Sequence, residues 1–100
     1  SDMVLENIRK KFSPIIEKNG LVFTREGYKI FNIEFRVTKE GEILHPTLYV
    51  SREHYKEFNL EKYHEILVYI QKISLADIYK YDCDNILTIP VYRHSTINHP

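Results

Sequence analysis

The segment Phe31-Asn32-Ile33-Glu34-Phe35-Arg36-Val37, with the run Leu44-His45-Pro46-Thr47-Leu48-Tyr49-Val50 that follows it, decides the fold. In the first run Phe31, Ile33, Phe35 and Val37 are apolar and the residues between them are polar. That two-residue period belongs to a strand with one buried face and one wet face. In the second run Leu44, Leu48 and Val50 share one parity and His45, Thr47 and Tyr49 the other, which assigns the three aliphatics to one face. The link Thr38-Lys39-Glu40-Gly41-Glu42 is short and polar, so the two runs form a hairpin with Gly41 at a position of positive φ.

Upstream, Val4, Ile8, Phe12, Ile15 and Ile16 recur at helical spacing, which predicts an amphipathic helix from about residue 4 to 18. Asn19-Gly20 is a C-terminal stop signal. Pro14 removes a backbone donor and either kinks this helix or, with Ser13 as cap, divides it. A short strand over 21–24 and a turn at 25–27 lead into the hairpin. Downstream, Asn59 is an N-cap for a helix beginning at Leu60, with Tyr63, Ile66, Leu67, Ile70 and Ile73 as its stripe. The stripe then meets Ser74 and Asp77. A break at Ser74 with a capping box gives two helices over 60–82, and an unbroken helix buries Asp77. Residues 86–92 favour a strand, which Pro90 assigns to a sheet edge or bulge.

The expected architecture is α+β: an N-terminal helix, an antiparallel sheet built on a long β-hairpin, one or two C-terminal helices packed on one sheet face, and a final edge strand. One hundred residues is the size of one domain. Ser1 and Asp2 precede Met3 and read as an appended remnant, and residues 93–100 read as a frayed polar tail.

Composition narrows the function. Lys plus Arg and Asp plus Glu number 14 each, so neither the basic excess of a nucleic-acid binder nor the acidity of a DNA mimic is present globally. One cysteine excludes an internal disulfide framework and a multi-thiolate metal site, and fits a reducing cytoplasm. No apolar run has the length of a membrane span and no segment has the layout of a secretory signal. The richness in Ile, Lys, Asn and Tyr is typical of low-GC bacteria and their phages.

Among the five histidines, His45, His54, His64, His94 and His99, none forms a His-x3-His pair, and His64 beside Glu65 lacks a second ligand at useful spacing, so no metal site is expected. Cys83 lies between Asp82 and Asp84, and negative neighbours oppose the thiolate that nucleophilic chemistry needs. Three scattered glycines make no phosphate-binding loop, and no cofactor is expected. A metal-free ribonuclease requires only a few Arg, His and Tyr side chains around a phosphate. Arg52 and His54 in one segment, and Arg93 and His94 in another, are the weak catalytic candidates. They become neighbours if the last strand pairs beside the hairpin, with Arg9, Lys10 and Lys11 as further cations.

Eight tyrosines and five phenylalanines exceed what one core holds. Tyr49, Tyr55, Tyr69, Tyr79 and Tyr92 are therefore the candidate binding residues, because exposed tyrosine supplies rigid contact area with a polar tip. The leading expectation is a small non-enzymatic protein-binding module: a regulator, inhibitor or immunity-type protein, phage- or mobile-element-encoded. Its partner would be another protein, or a second copy paired through an edge strand. The alternative is a nucleic-acid-binding or metal-free RNA-cleaving domain.

Overall fold

A computed structural model of the chain describes residues 2–25, 27–56 and 59–93. The elements in order are α1 (Asp2–Lys18), β1 (Leu21–Val22), β2 (Lys29–Val37), β3 (Ile43–Val50), α2 (Leu60–Gln71) and β4 (Asn85–Arg93). The four strands form one antiparallel sheet in the order β1-β4-β2-β3. The fold class is therefore α+β. Arg93, expected in a frayed tail, is the last residue of β4, and residues 94–100 lie outside the described part of the chain.

Both helices cover the sheet face that carries Phe31, Ile33, Phe35 and Val37, all essentially inaccessible. On α1 the buried stripe is Ile8, Phe12, Ile15 and Ile16. Phe12 meets Phe35 edge-on at 5.6 Å between ring centroids, and Tyr63 of α2 meets Phe31 at 6.3 Å. Edge-to-face pairs of this kind add about 1 kcal/mol beyond their buried area. The stripe also explains why α1 continues through Pro14 as one helix. Pro14 is on the exposed side, Ser13 Oγ donates to the Arg9 carbonyl at 2.9 Å, and the turns on both sides are anchored in the core. Gly20 ends the helix at φ +73, its N–H donating to Glu17 O.

Gly41 adopts φ +86, as the hairpin link requires. Thr38 organises the rest of the turn: its N–H donates to Glu42 O, and its Oγ1 accepts from the Glu42 N–H. Gly41 has a second role that its local sequence does not show. The Leu75 N–H donates to Gly41 O at 2.8 Å, and a Cβ at Gly41 would lie 2.4 Å from Ala76 N. The chain beyond α2 is thereby seated directly on the hairpin turn.

That docking resolves the region after Gln71. The Asn59 side chain caps α2 by accepting from Lys62 N at 3.0 Å. The helix stops at Gln71, whose side chain donates to Ile43 O on β3. Ser74 forms a bridge with Glu42, and residues 76–78 make only one turn. There is one C-terminal helix, not two, and Asp77 is exposed in an ion pair with Lys11 at 2.9 Å.

Two further expectations are corrected. β4 is not simply an edge strand, because β1 lies beyond it; yet β1 reaches only Tyr92 and Arg93. Pro90, opposite Asn32, falls where no strand of the described residues flanks the outer side of β4, so the outer side needs no donor there. The single parity of Leu44, Leu48 and Val50 also fails. His45 and Pro46 together oppose Phe35 in a bulge, and His45 takes φ +53. Leu48 and Val50 face the core opposite Ile33 and Phe31. Leu44 pairs with Arg36 on the opposite face, and Ile43 is buried in its stead.

Candidate functional site

Two regions carry the chemistry. The first lies where β2 starts and β3 and β4 end. Tyr28 precedes β2 and is about half exposed. The Arg93 N–H donates to Tyr28 O at 3.1 Å, which fixes the end of β4 against it. The Arg93 guanidinium lies 5.9 Å from the Tyr28 ring centroid, within cation–π range. On the same ring His54 stacks at 4.6 Å with an interplanar angle of 21°. His54 belongs to the turn after β3 and is held by its N–H to Ser51 O at 3.0 Å. Arg52 is exposed in this turn. Beside it Tyr55 is half exposed with Lys56 over its ring at 5.7 Å, and its carbonyl accepts from Tyr63 Oη of α2.

Thus Arg93 and His54, assigned to separate segments, meet on one ring, while His94 lies outside the described residues. Arg9 and Lys11 do not join them: Arg9 pairs with Glu6 and Lys11 with Asp77. Tyr28 is the residue that sequence reasoning missed as a site member. Its position beside Gly27 in a turn marks it as accessible, but nothing local links it to His54 or Arg93.

The second region is the sheet face that neither helix covers. Its rows follow from the register: Tyr49, Asn32 and Pro90; Thr47, Glu34 and Thr88; Leu44, Arg36 and Ile86. Tyr49 and Ile86 are among the most exposed large side chains. A hydrogen bond to Glu34, and then the charge of that carboxylate, raises the Tyr49 hydroxyl above the ordinary value of 10.0. Arg36 faces Asp84 at 3.9 Å.

The five tyrosines expected to bind do not share a surface. Tyr49 is on the uncovered face and Tyr55 is beside the Tyr28 cluster. Tyr69 is half-buried in the groove between α1 and α2, with Pro14, Ile15 and Val68. Tyr92 is half-buried in β4. Tyr79 is a correction: it is 2% exposed, its hydroxyl donating to Cys83 O at 2.9 Å and accepting from Asn85 Nδ2 at 2.6 Å. It belongs to the core because the segment after α2 folds back over the sheet.

Cys83 is exposed. Among the described residues, no group of three or more His, Cys, Asp or Glu side chains is placed to hold a metal ion. No helix of the described residues is long and apolar enough to cross a membrane. Comparison of the chain with protein-family models, with curated proteins and with solved structures gave no match.

Proposed function

We propose that this chain is a small non-enzymatic protein-binding module that receives an extended segment of a partner protein along the outer edge of β4. The observation that carries this reading is the composition of that edge. From Asn85 to Val91, β4 is paired with β2 on one side and with no strand of the described residues on the other, because β1 reaches only Tyr92 and Arg93. Strand edges are usually blunted by charge. Residues 85–91, Asn-Ile-Leu-Thr-Ile-Pro-Val, contain no charged side chain, and Pro90 is their one residue without a backbone donor. Ile86 is 67% exposed next to this edge. The edge of β3 differs, being broken near its middle by the His45 bulge and Pro46. A strand added at 85–89 would place alternate side chains beside Ile86 and Thr88 on the uncovered face, toward Glu34 and Arg36. Backbone pairing supplies affinity and those side chains supply selectivity.

The test compares the wild-type chain with Ile86→Lys/Thr88→Lys, two exposed positions whose charge blunts the edge without touching the core. Tagged protein is used to capture a partner from native lysate, and amide exchange is then measured with the partner bound. The expected result is stoichiometric capture by wild type, at least tenfold less by the variant, and slowed exchange confined to residues 85–89. Equal capture by both proteins, or a monomeric wild type that retains nothing, overturns the reading. Sedimentation of the purified chain as a dimer that the variant abolishes identifies the partner strand as a second copy.

A further inference from the structure

We infer that the cluster at Tyr28 is a second binding site, separate from the β4 edge, for the phosphodiester backbone and bases of a single-stranded nucleic acid. Three segments distant in sequence converge there: the approach to β2, the turn after β3, and the last residue of β4. Two exposed rings result, each with a cation against it. Tyr28 carries Arg93 at 5.9 Å and His54 stacked at 4.6 Å; Tyr55 carries Lys56 at 5.7 Å. Aromatic faces interleaved with cations are what single strands require, since every base has a π-face to stack and every linkage has a charge to neutralise. The neutral chain conceals a local imbalance. In sequence, the stretches 24–29, 51–58 and 91–93 hold five Lys and Arg residues against three Glu, whereas the whole chain is balanced at 14 each.

Ser51 Oγ adds an independent observation at the same turn. It is buried and has no hydrogen-bond partner among the described residues. A buried hydroxyl without a protein partner is unusual in a folded chain and is satisfied by a water or a ligand or marks strain. Ser51 precedes Arg52 and accepts from the His54 N–H through its carbonyl. Duplex nucleic acid is a poorer fit, because its bases are already stacked and present no free faces to Tyr28 and Tyr55.

The experiment uses the full chain and a fluorescein-labelled single-stranded RNA of twelve uridines, read by anisotropy over a range of salt concentrations. Binding is expected at low salt, with log affinity falling against log salt at about 0.7 per phosphate neutralised. Arg52→Gln/Arg93→Gln is expected to weaken binding at least tenfold and to flatten the slope. Tyr28→Leu is expected to weaken it while leaving the slope almost unchanged, because it removes stacking and no charge. Lys39→Gln, at the far end of the hairpin, is the control. The inference is overturned by absence of binding at low salt, or by equal effects of Lys39→Gln and Arg52→Gln/Arg93→Gln, which would mean diffuse electrostatics. Tighter binding of the matching duplex than of the single strand also overturns it. Arg52→Gln/Arg93→Gln leaves Ile86 and Thr88 in place, so its unchanged capture of a protein partner would separate failure here from failure of the β4-edge reading.

Discussion

At the scale of single residues, two glycines with similar backbones have different duties. Gly20 and Gly41 both have positive φ, at +73 and +86. A Cβ at Gly20 meets nothing within 4 Å, whereas one at Gly41 would overlap the backbone of Leu75 and Ala76. Gly20→Ala should cost about 1 kcal/mol, the left-handed penalty alone. Gly41→Ala should cost roughly 3 kcal/mol, because overpacking adds to that penalty and the 74–76 segment must move. Urea denaturation of both variants measures the difference; equal losses would mean that the 74–76 segment yields freely. Tyr49 offers a second residue-scale test. Its hydroxyl is held above 10.0 mainly by the hydrogen bond with Glu34. The protonated phenol is favoured in the folded state, so the contribution is present below the ordinary value and lost as pH rises through the raised one. Glu34→Gln should bring the Tyr49 titration down toward 10.0, as followed by ring resonances in NMR. An unchanged titration would show that the two side chains do not interact in solution.

Among the elements, the irregular chain from Ile73 to Asp84 determines how the helices and sheet are joined. It contributes Leu75 and Tyr79 to the core, a bridge from Ser74 to Glu42, and the Leu75–Gly41 hydrogen bond. Tyr79 Oη links its far end to Cys83 and Asn85, the latter the first residue of β4. Tyr79→Phe removes the hydroxyl but keeps the buried ring. The expected loss is about 1–2 kcal/mol, since the Cys83 carbonyl and the Asn85 amide both lose a partner. Amide exchange should accelerate in residues 80–86 ahead of β2. Uniform acceleration across the sheet would instead show that this segment and the core open together.

For the molecule as a whole, α1 is tied across the fold by two exposed ion pairs. Lys18 bonds Glu65 on α2, and Lys11 bonds Asp77 and the Ser74 carbonyl beyond it. These hydrogen bonds are the main reason both carboxyls lie below their ordinary values of 4.5 and 3.8. A carboxyl lowered in the folded state contributes stability above its unfolded value, and that contribution disappears as pH falls through the lowered one. Lys11→Gln/Lys18→Gln should therefore be less stable than wild type near about pH 6, with the gap narrowing toward about pH 3 as the two carboxyls begin to protonate. Because both pairs are exposed, the gap should also shrink with salt. Urea midpoints at the two pH values give the result; a gap independent of pH would assign the loss to packing of the lysine stems.

The sequence by itself determined most of the elements, though not where the chain beyond α2 ceases to be helical. Period-two alternation in 31–37 identified β2 and its buried face, Gly41 identified the turn, Asn59 identified the start of α2, and the stripe of Ile8, Phe12, Ile15 and Ile16 identified the buried side of α1. Each of these signals is contained within a few neighbouring residues. It also placed Arg52, His54 and Arg93 among the candidates and left Tyr28 out. Tertiary structure alone decided what depends on pairing between distant segments. The His45 bulge turned Leu44 to the outer face and brought Ile43 inward; the two-residue β1 left most of β4 open; Tyr79 went into the core; His54 and Arg93 met on Tyr28. Alternation predicts a face only while the register is unbroken, and a bulge is set by the strand opposite. A site assembled from three strand ends exists only after the sheet order is fixed, and sheet order is a property of the whole chain.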